Sequence, residues 1–182
     1  APKSLVKFII VGLLIALHWI FFFEAIKVST VSITLSVFSL GAFLASILEP
    51  LFYGRQVLCY EVSFGLIIIA GLGLIMQVEI NYWNGMLIAL VSIILGVLFT
   101  LMNGKLIADH DPPVISFYEF LAGFIFISIY FLFNGSFTAD FFVLTANDWI
   151  LILILASICT AYAFTASVKV MRQLSPYTVM LT

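Results

Sequence analysis

The stretch Leu5–Lys27 reads LVKFIIVGLLIALHWIFFFEAIK, with no charge between Lys7 and Glu24. About 20 mainly apolar residues are enough to cross the hydrocarbon core of a bilayer as a helix. A helix is expected because backbone polar groups in lipid must be satisfied within the segment, and the run lacks the period-2 alternation of a barrel strand. Lys3 and Lys7 ahead of an apolar run also suit a signal peptide. The run ends in Glu24 and Lys27 without a small-residue cleavage pattern, however, so it reads as a true span.

Five further windows of the same kind follow, giving six segments: A, Leu5–Lys27; B, Val31–Tyr53; C, Cys59–Val78; D, Asn84–Ile107; E, Pro113–Phe133; and F, Asp148–Arg172. Short connections hold the breakers Ser29-Thr30, Gly54-Arg55, Asn81, Asp109 to Pro113, Asn134-Gly135 and Ser175-Pro176. Tyr53, Tyr60, Tyr82, Trp83 and Trp149 collect at segment ends as an interfacial belt. Composition agrees. Of 182 residues 64% are hydrophobic and 9% charged, where a soluble domain carries about 25% charge. The 19 Phe and 3 Trp exclude disorder, and a net charge of -2 excludes a nucleic-acid partner. Two cysteines, Cys59 and Cys159, make neither a disulfide framework nor a metal cluster. The expected class is an all-α polytopic membrane protein, with no metal and no cofactor.

Orientation follows from the basic residues. If A starts on face 1, that face receives Lys3, Lys7, Arg55, Lys105, Lys169 and Arg172, while face 2 holds only Lys27. The positive-inside rule makes face 1 cytoplasmic, and the expected location is the cell (inner) membrane, multi-pass, with the N-terminal end of the chain on the cytoplasmic side.

The ends of A and F echo one another. A reads Phe22-Phe23-Glu24-Ala25-Ile26-Lys27, then Ser29 and Ile33-Thr34-Leu35; F reads Phe164-Thr165-Ala166-Ser167-Val168-Lys169, then Ser175-Pro176 and Val179-Met180-Leu181. A and F run in opposite directions, so equivalence between them implies an inverted repeat with a five-helix unit. Residues 1–80 then hold the last three helices of repeat 1, and residues 81–182 the first three of repeat 2 with the start of its fourth. The expectation is a fragment of a ten-span protein, covering spans 3 to 8 and the beginning of span 9.

Together with Ala16-Leu17-His18-Trp19, Phe23 to Ser32, Gly65, Gly71-Leu72-Gly73, Gly85 to Leu90 and Ser175-Pro176-Tyr177-Thr178, this plan resembles the drug/metabolite transporter superfamily, specifically its EamA-type members. The resemblance implies a ten-helix secondary transporter with cytoplasmic termini, mostly an exporter of amino acids and small metabolites. It also implies an acidic residue after span 4, which Glu61 matches, whereas Glu49-Pro50 inside B departs from the pattern.

A transporter of this plan holds its small-molecule substrate near the midplane. His18 lies about 3 Å from the middle of A, and its repeat equivalent is Thr160. The imidazole reads either as a substrate or proton contact or as a neutral ring bonded to a neighbouring helix. Glu119 lies about 9 Å inside E and reads as a proton-coupling group or as the partner of Lys105. Trp19 and Phe22 flank His18. Ser32, Ser36, Ser39 and Ser46 share a face of B, which reads as helix packing or as a polar path beside His18. D offers Ser92, Gly96, Thr100 and Asn103, and F offers Tyr162 and Lys169. Glu24, Lys27 and Lys169 are gate or anchor candidates. Gly12/Ala16, Gly41/Ala45, Gly85/Ala89 and Ser92/Gly96 read as packing points. Pro50 should bend B or end it near Glu49. An intramembrane enzyme would need paired catalytic groups that the spans lack, so the chain reads as no enzyme. A structural or sensory membrane protein is the other alternative.

Overall fold

The computed structural model describes residues 2–78 and 80–181; Ala1, Glu79, Thr182 and the side chains of residues 2, 3, 75–78, 80 and 139 lie outside the described residues. The described chain is helical with no strand. In order it forms α1 (Pro2–Val28), α2 (Val31–Phe38), α3 (Leu40–Tyr53), α4 (Cys59–Val78), α5 (Trp83–Leu106), α6 (Pro112–Phe133), α7 (Ala146–Ile154), a π-helical stretch (Leu155–Tyr162), α8 (Ala163–Val170) and α9 (Pro176–Met180). Five helical stretches among the described residues are long and apolar enough to cross a membrane: Ser4–Val28, Val31–Tyr53, Trp83–Leu106, Pro112–Phe133 and Ala146–Val170. Segment C is shorter over its described side chains, Cys59–Leu74. Several such helices in one chain are the mark of a multi-pass membrane protein.

The breakers act through identifiable hydrogen bonds. Ile33 N donates to the Thr30 hydroxyl and caps α2. A capping box joins Thr145 and Asp148 at the start of α7. Pro112 and Pro176 open α6 and α9 at the position where a missing N–H costs nothing. Segment B breaks into α2 and α3 at Ser39, but α3 does not end at Glu49. It continues through Pro50 to Tyr53 and stops at Gly54, whose φ of 68° permits the left-handed cap in which Gly54 N donates to Pro50 O at 2.8 Å. Proline inside a spanning helix is tolerated when neighbours re-satisfy the freed groups.

Helix α5 is the central stave. Its residues enter all three buried apolar clusters: Leu106 with Phe8, Ile15 and Val168; Met86 and Ala89 with Ala25, Ile33 and Val37; Val97 and Leu101 with Ala42, Ala45 and Tyr177. α1 packs chiefly against α5 and α6. At the crossing of α1 and α6 a Cβ on Gly12 would stand 2.6 Å from both Glu119 O and Ala122 Cβ, so only glycine lets the backbones come this close. Contacts also gather the connections assigned to face 1 at one end. The Phe8 ring lies 5.1 Å from His110, Arg172 pairs with Asp111, and Gly104 sits beside Tyr53 and Pro176.

Gly12→Val is expected to force α1 off α6 and to cost about 1–3 kcal/mol, the range for overpacking. Thermal unfolding of the full-length protein in detergent checks this; an unchanged midpoint would remove the crossing as a determinant of the fold.

Candidate functional site

His18 is seated on α5 by three contacts. Its Nδ1 lies 2.8 Å from Ser92 O and 3.2 Å from Ser92 Oγ, and Ser92 Oγ donates in return to His18 O at 2.7 Å. A carbonyl only accepts, so the ring proton must sit on Nδ1, which leaves Nε2 as the acceptor. Gly96 makes room for the ring, since a Cβ there would lie 3.2 Å from imidazole atoms. The Ser92/Gly96 pair is thus a packing point of α1 on α5 that also seats the His18 side chain.

Beyond this socket His18 borders a cavity of about 490 Å³, together with Trp19, Phe22, Phe38, Phe120 and Thr160. The ring centroids of His18 and Phe38 are 5.6 Å apart and those of Trp19 and Phe120 6.2 Å apart. The walls come from α1, α2, α6, α7 and the π-helical stretch, which places the cavity from the middle of the bundle toward the face 2 end. No charged residue is part of the lining.

Thr160 reaches this cavity through the π-helical stretch. Leu155 and Thr160, like Ala156 and Ala161, line the cavity and are five residues apart. In an α-helix such pairs point about 140° apart at roughly 100° per residue. Closure between i and i+5 stacks them on one side, and π segments are frequent at functional sites. No signal in the run Ile150–Ile158, apolar except for Ser157, marks the change of helix type.

The other candidates lie elsewhere. On α2 the cavity is lined by Leu35 and Phe38, not by the serine face. Ser36 Oγ donates to Ser32 O, Ser39 Oγ to Ser36 O and Ser46 Oγ to Phe43 O. A hydroxyl in apolar surroundings satisfies itself on its own helix when no better acceptor is near. Asn103 and Glu119 meet in the buried contact of α5 with α6, where Asn103 Nδ2 donates to Glu119 Oε2 at 3.1 Å. Asn103 Oδ1, Ser116 Oγ and Glu119 Oε1 have no hydrogen-bond partner there. Lys105 does not pair with Glu119; its ammonium stands 5.3 Å and 5.4 Å from the ring centres of Phe52 and Tyr53. Glu24 and Lys27 form an exposed pair at 3.5 Å, of the kind that contributes little. Tyr162 and Lys169 line a separate groove near the start of α6.

Sequence reading placed no role on Arg55, yet it builds the strongest polar cluster. Its Nε donates to Glu49 Oε1 at 2.9 Å and its Nη2 to Glu61 Oε2 at 2.7 Å. The other oxygen of Glu49 accepts from Tyr177 N at 2.6 Å, at the first turn of α9. Burial alone would lower the Arg55 pKa, but the hydrogen bond it donates to Glu61 and the charge of Glu49 outweigh it and hold the guanidinium above its ordinary value. One cluster therefore ties α3, α4 and α9 together at the face 1 end. No family model, curated protein or solved structure matches the chain. The geometry of these groups is accordingly the basis for a functional reading.

Two outcomes are expected. In nitrogen-15 spectra of histidine-labelled full-length protein, His18 should carry its proton on Nδ1; a dominant Nε2–H form would contradict the socket. Arg55→Ala should lower stability by about 2–3 kcal/mol, below the usual range for a fully buried pair because a quarter of the Arg55 side chain is exposed. Adding Glu49→Gln and Glu61→Gln should restore most of it in chemical denaturation, since no uncompensated carboxylate would remain.

Proposed function

We propose that the chain forms the substrate-bearing part of a secondary transporter of the cell membrane, similar to the EamA-type drug/metabolite transporters, that exports small metabolites or amino acids by alternating access. The observation that carries the reading is the meeting of His18 and Thr160 in one cavity, from segments A and F. These are the positions expected to be equivalent in an inverted five-helix repeat, and such transporters hold substrate where the repeats face each other near the midplane.

In this reading the solute rests between the aromatic walls while His18 Nε2 and the Thr160 hydroxyl supply its polar contacts. The Arg55, Glu49 and Glu61 cluster with α9 closes the face 1 end, taken as cytoplasmic, so the conformation described is the one accessible from face 2. Opening the other way requires α9 to leave Glu49. Glu119 is the candidate for proton coupling. It is fully buried, and an acid at that depth costs on the order of 2–3 kcal/mol when charged. No cation is within ion-pair distance among the described residues, and one carboxylate oxygen is unpartnered. A buried acid satisfied by a single amide N–H is suited to take up and release a proton as its surroundings rearrange.

Transport by the full-length protein in proteoliposomes tests this. His18→Ala should slow uptake about ten-fold, the worth of one hydrogen bond of about 1.4 kcal/mol. Glu119→Gln should remove the response to a pH gradient and spare solute exchange. Wild-type behaviour in both variants would exclude these roles. The absence of any solute-dependent thermal stabilisation across a broad metabolite panel would favour a structural or sensory protein.

A further inference from the structure

Two grooves on the outer side of α6 and α8 share walls. The first, of about 630 Å³, lies at the face 1 end and includes Tyr162, Lys169, Arg172 and Gln173 in its lining. The second, of about 450 Å³, is bordered by Phe117, Leu121 and Phe124. Pro113 and Thr165 border both, so one continuous furrow leads from a cationic mouth into an apolar channel. Phe117, Leu121 and Phe124 follow one another at spacings of four and three, which is one stripe of α6. From Pro113 to Phe124 the helix rises about 16 Å. That is half of a hydrocarbon core of about 30 Å, the depth of a single leaflet.

The charge at the mouth is unbalanced. Lys169 is exposed and has no ion pair among the described residues. Arg172 meets Asp111 at 3.0 Å, with 47% and 77% of the two side chains exposed. A pair this exposed is weak and readily exchanged for another anion. Asp109 and Asp111 are the acids in the adjoining connection, and neither is part of the groove lining.

We propose that this furrow holds one anionic phospholipid of the face 1 leaflet. The headgroup phosphate lies between Lys169 and Arg172 with the Gln173 amide as a further donor, and one acyl chain lies along Phe117, Leu121 and Phe124. Basic pockets between spanning helices recognise such headgroups, and the apolar channel beneath provides for the tail that a free phosphate ion does not have. The site needs α6 and the Ala146–Val170 stretch that ends in α8 to span the bilayer, and it does not depend on the protein being a transporter. Phe120 and Ala161 border both the acyl channel and the central cavity, so the lipid tail would form the outer side of the cavity wall.

Native mass spectrometry of the full-length protein, delipidated and titrated with phosphatidylglycerol or with phosphatidylcholine of the same chains, tests the proposal. Phosphatidylglycerol should be retained more strongly, by about five-fold per cation. Lys169→Ala should lower that preference about five-fold and Lys169→Arg should keep it. Leu121→Trp should weaken both lipids alike by blocking the channel, and it serves as the test should the Lys169 variant fail to fold. Equal retention of the two lipids, or an unchanged preference in a folded Lys169→Ala/Arg172→Ala double variant, would overturn the site. Displacement of the lipid by millimolar inorganic phosphate would reassign it to a free anion. Retention of neither lipid would point to occupation of the furrow by another polypeptide segment.

Discussion

Helices in lipid gain no hydrophobic energy by meeting, because the acyl chains around them are as apolar as their own surfaces. What holds this bundle is therefore close backbone approach and a small number of interhelical hydrogen bonds. Both converge on α1 and its neighbours. Gly12 brings α1 onto α6, and His18 with Ser92 clasps α1 to α5. α5 in turn contributes to every buried cluster. Away from α1 the Arg55 cluster ties α3, α4 and α9, and α7 buries none of its residues.

The polar groups divide between the two ends of the bundle. The face 1 end is charged, with Arg55 between two carboxylates and Glu49 on the first turn of α9. The middle and the face 2 half are aromatic and hollow. A bundle built this way pairs its charges where the hydrocarbon ends. Glu49, which looked out of place beside Pro50, has its explanation there: its second oxygen accepts a backbone N–H of a helix far along the chain.

Most segment positions and breakers were legible because each depends on a few neighbouring residues; the break of segment B at Ser39 was not. The run without charge from Phe8 to Phe23 is a span whatever surrounds it, and Ser175-Pro176 opens a helix wherever it is placed. His18 could be singled out for the same reason, since a lone imidazole in such a run is visible by contrast. Partners were not legible. Lys105 is on the same side as Glu119, but its long stem lays the ammonium over Phe52 and Tyr53 instead, and Asn103 takes the acid. The serines of α2 and α3 share a face, but they spend their hydroxyls on their own helix.

The sequence by itself determined that the chain is helical and apolar enough to cross a membrane several times, because length and hydropathy act locally and lipid permits few backbone forms. It also marked the connections that share one end. Only the tertiary structure decided which groups face one another. Helix rotation and crossing decide whether a side chain reaches a cavity, a neighbour or lipid, and in an almost uniformly apolar run no periodicity records them. Thr160 lines the cavity that His18 borders because eight residues adopt π-helical closure, and Arg55 binds Glu49 and Glu61 because α3 and α4 meet at the same end. Neither the closure of one helical stretch nor the turn that sets Arg55 between acids six residues to either side is recorded in hydropathy.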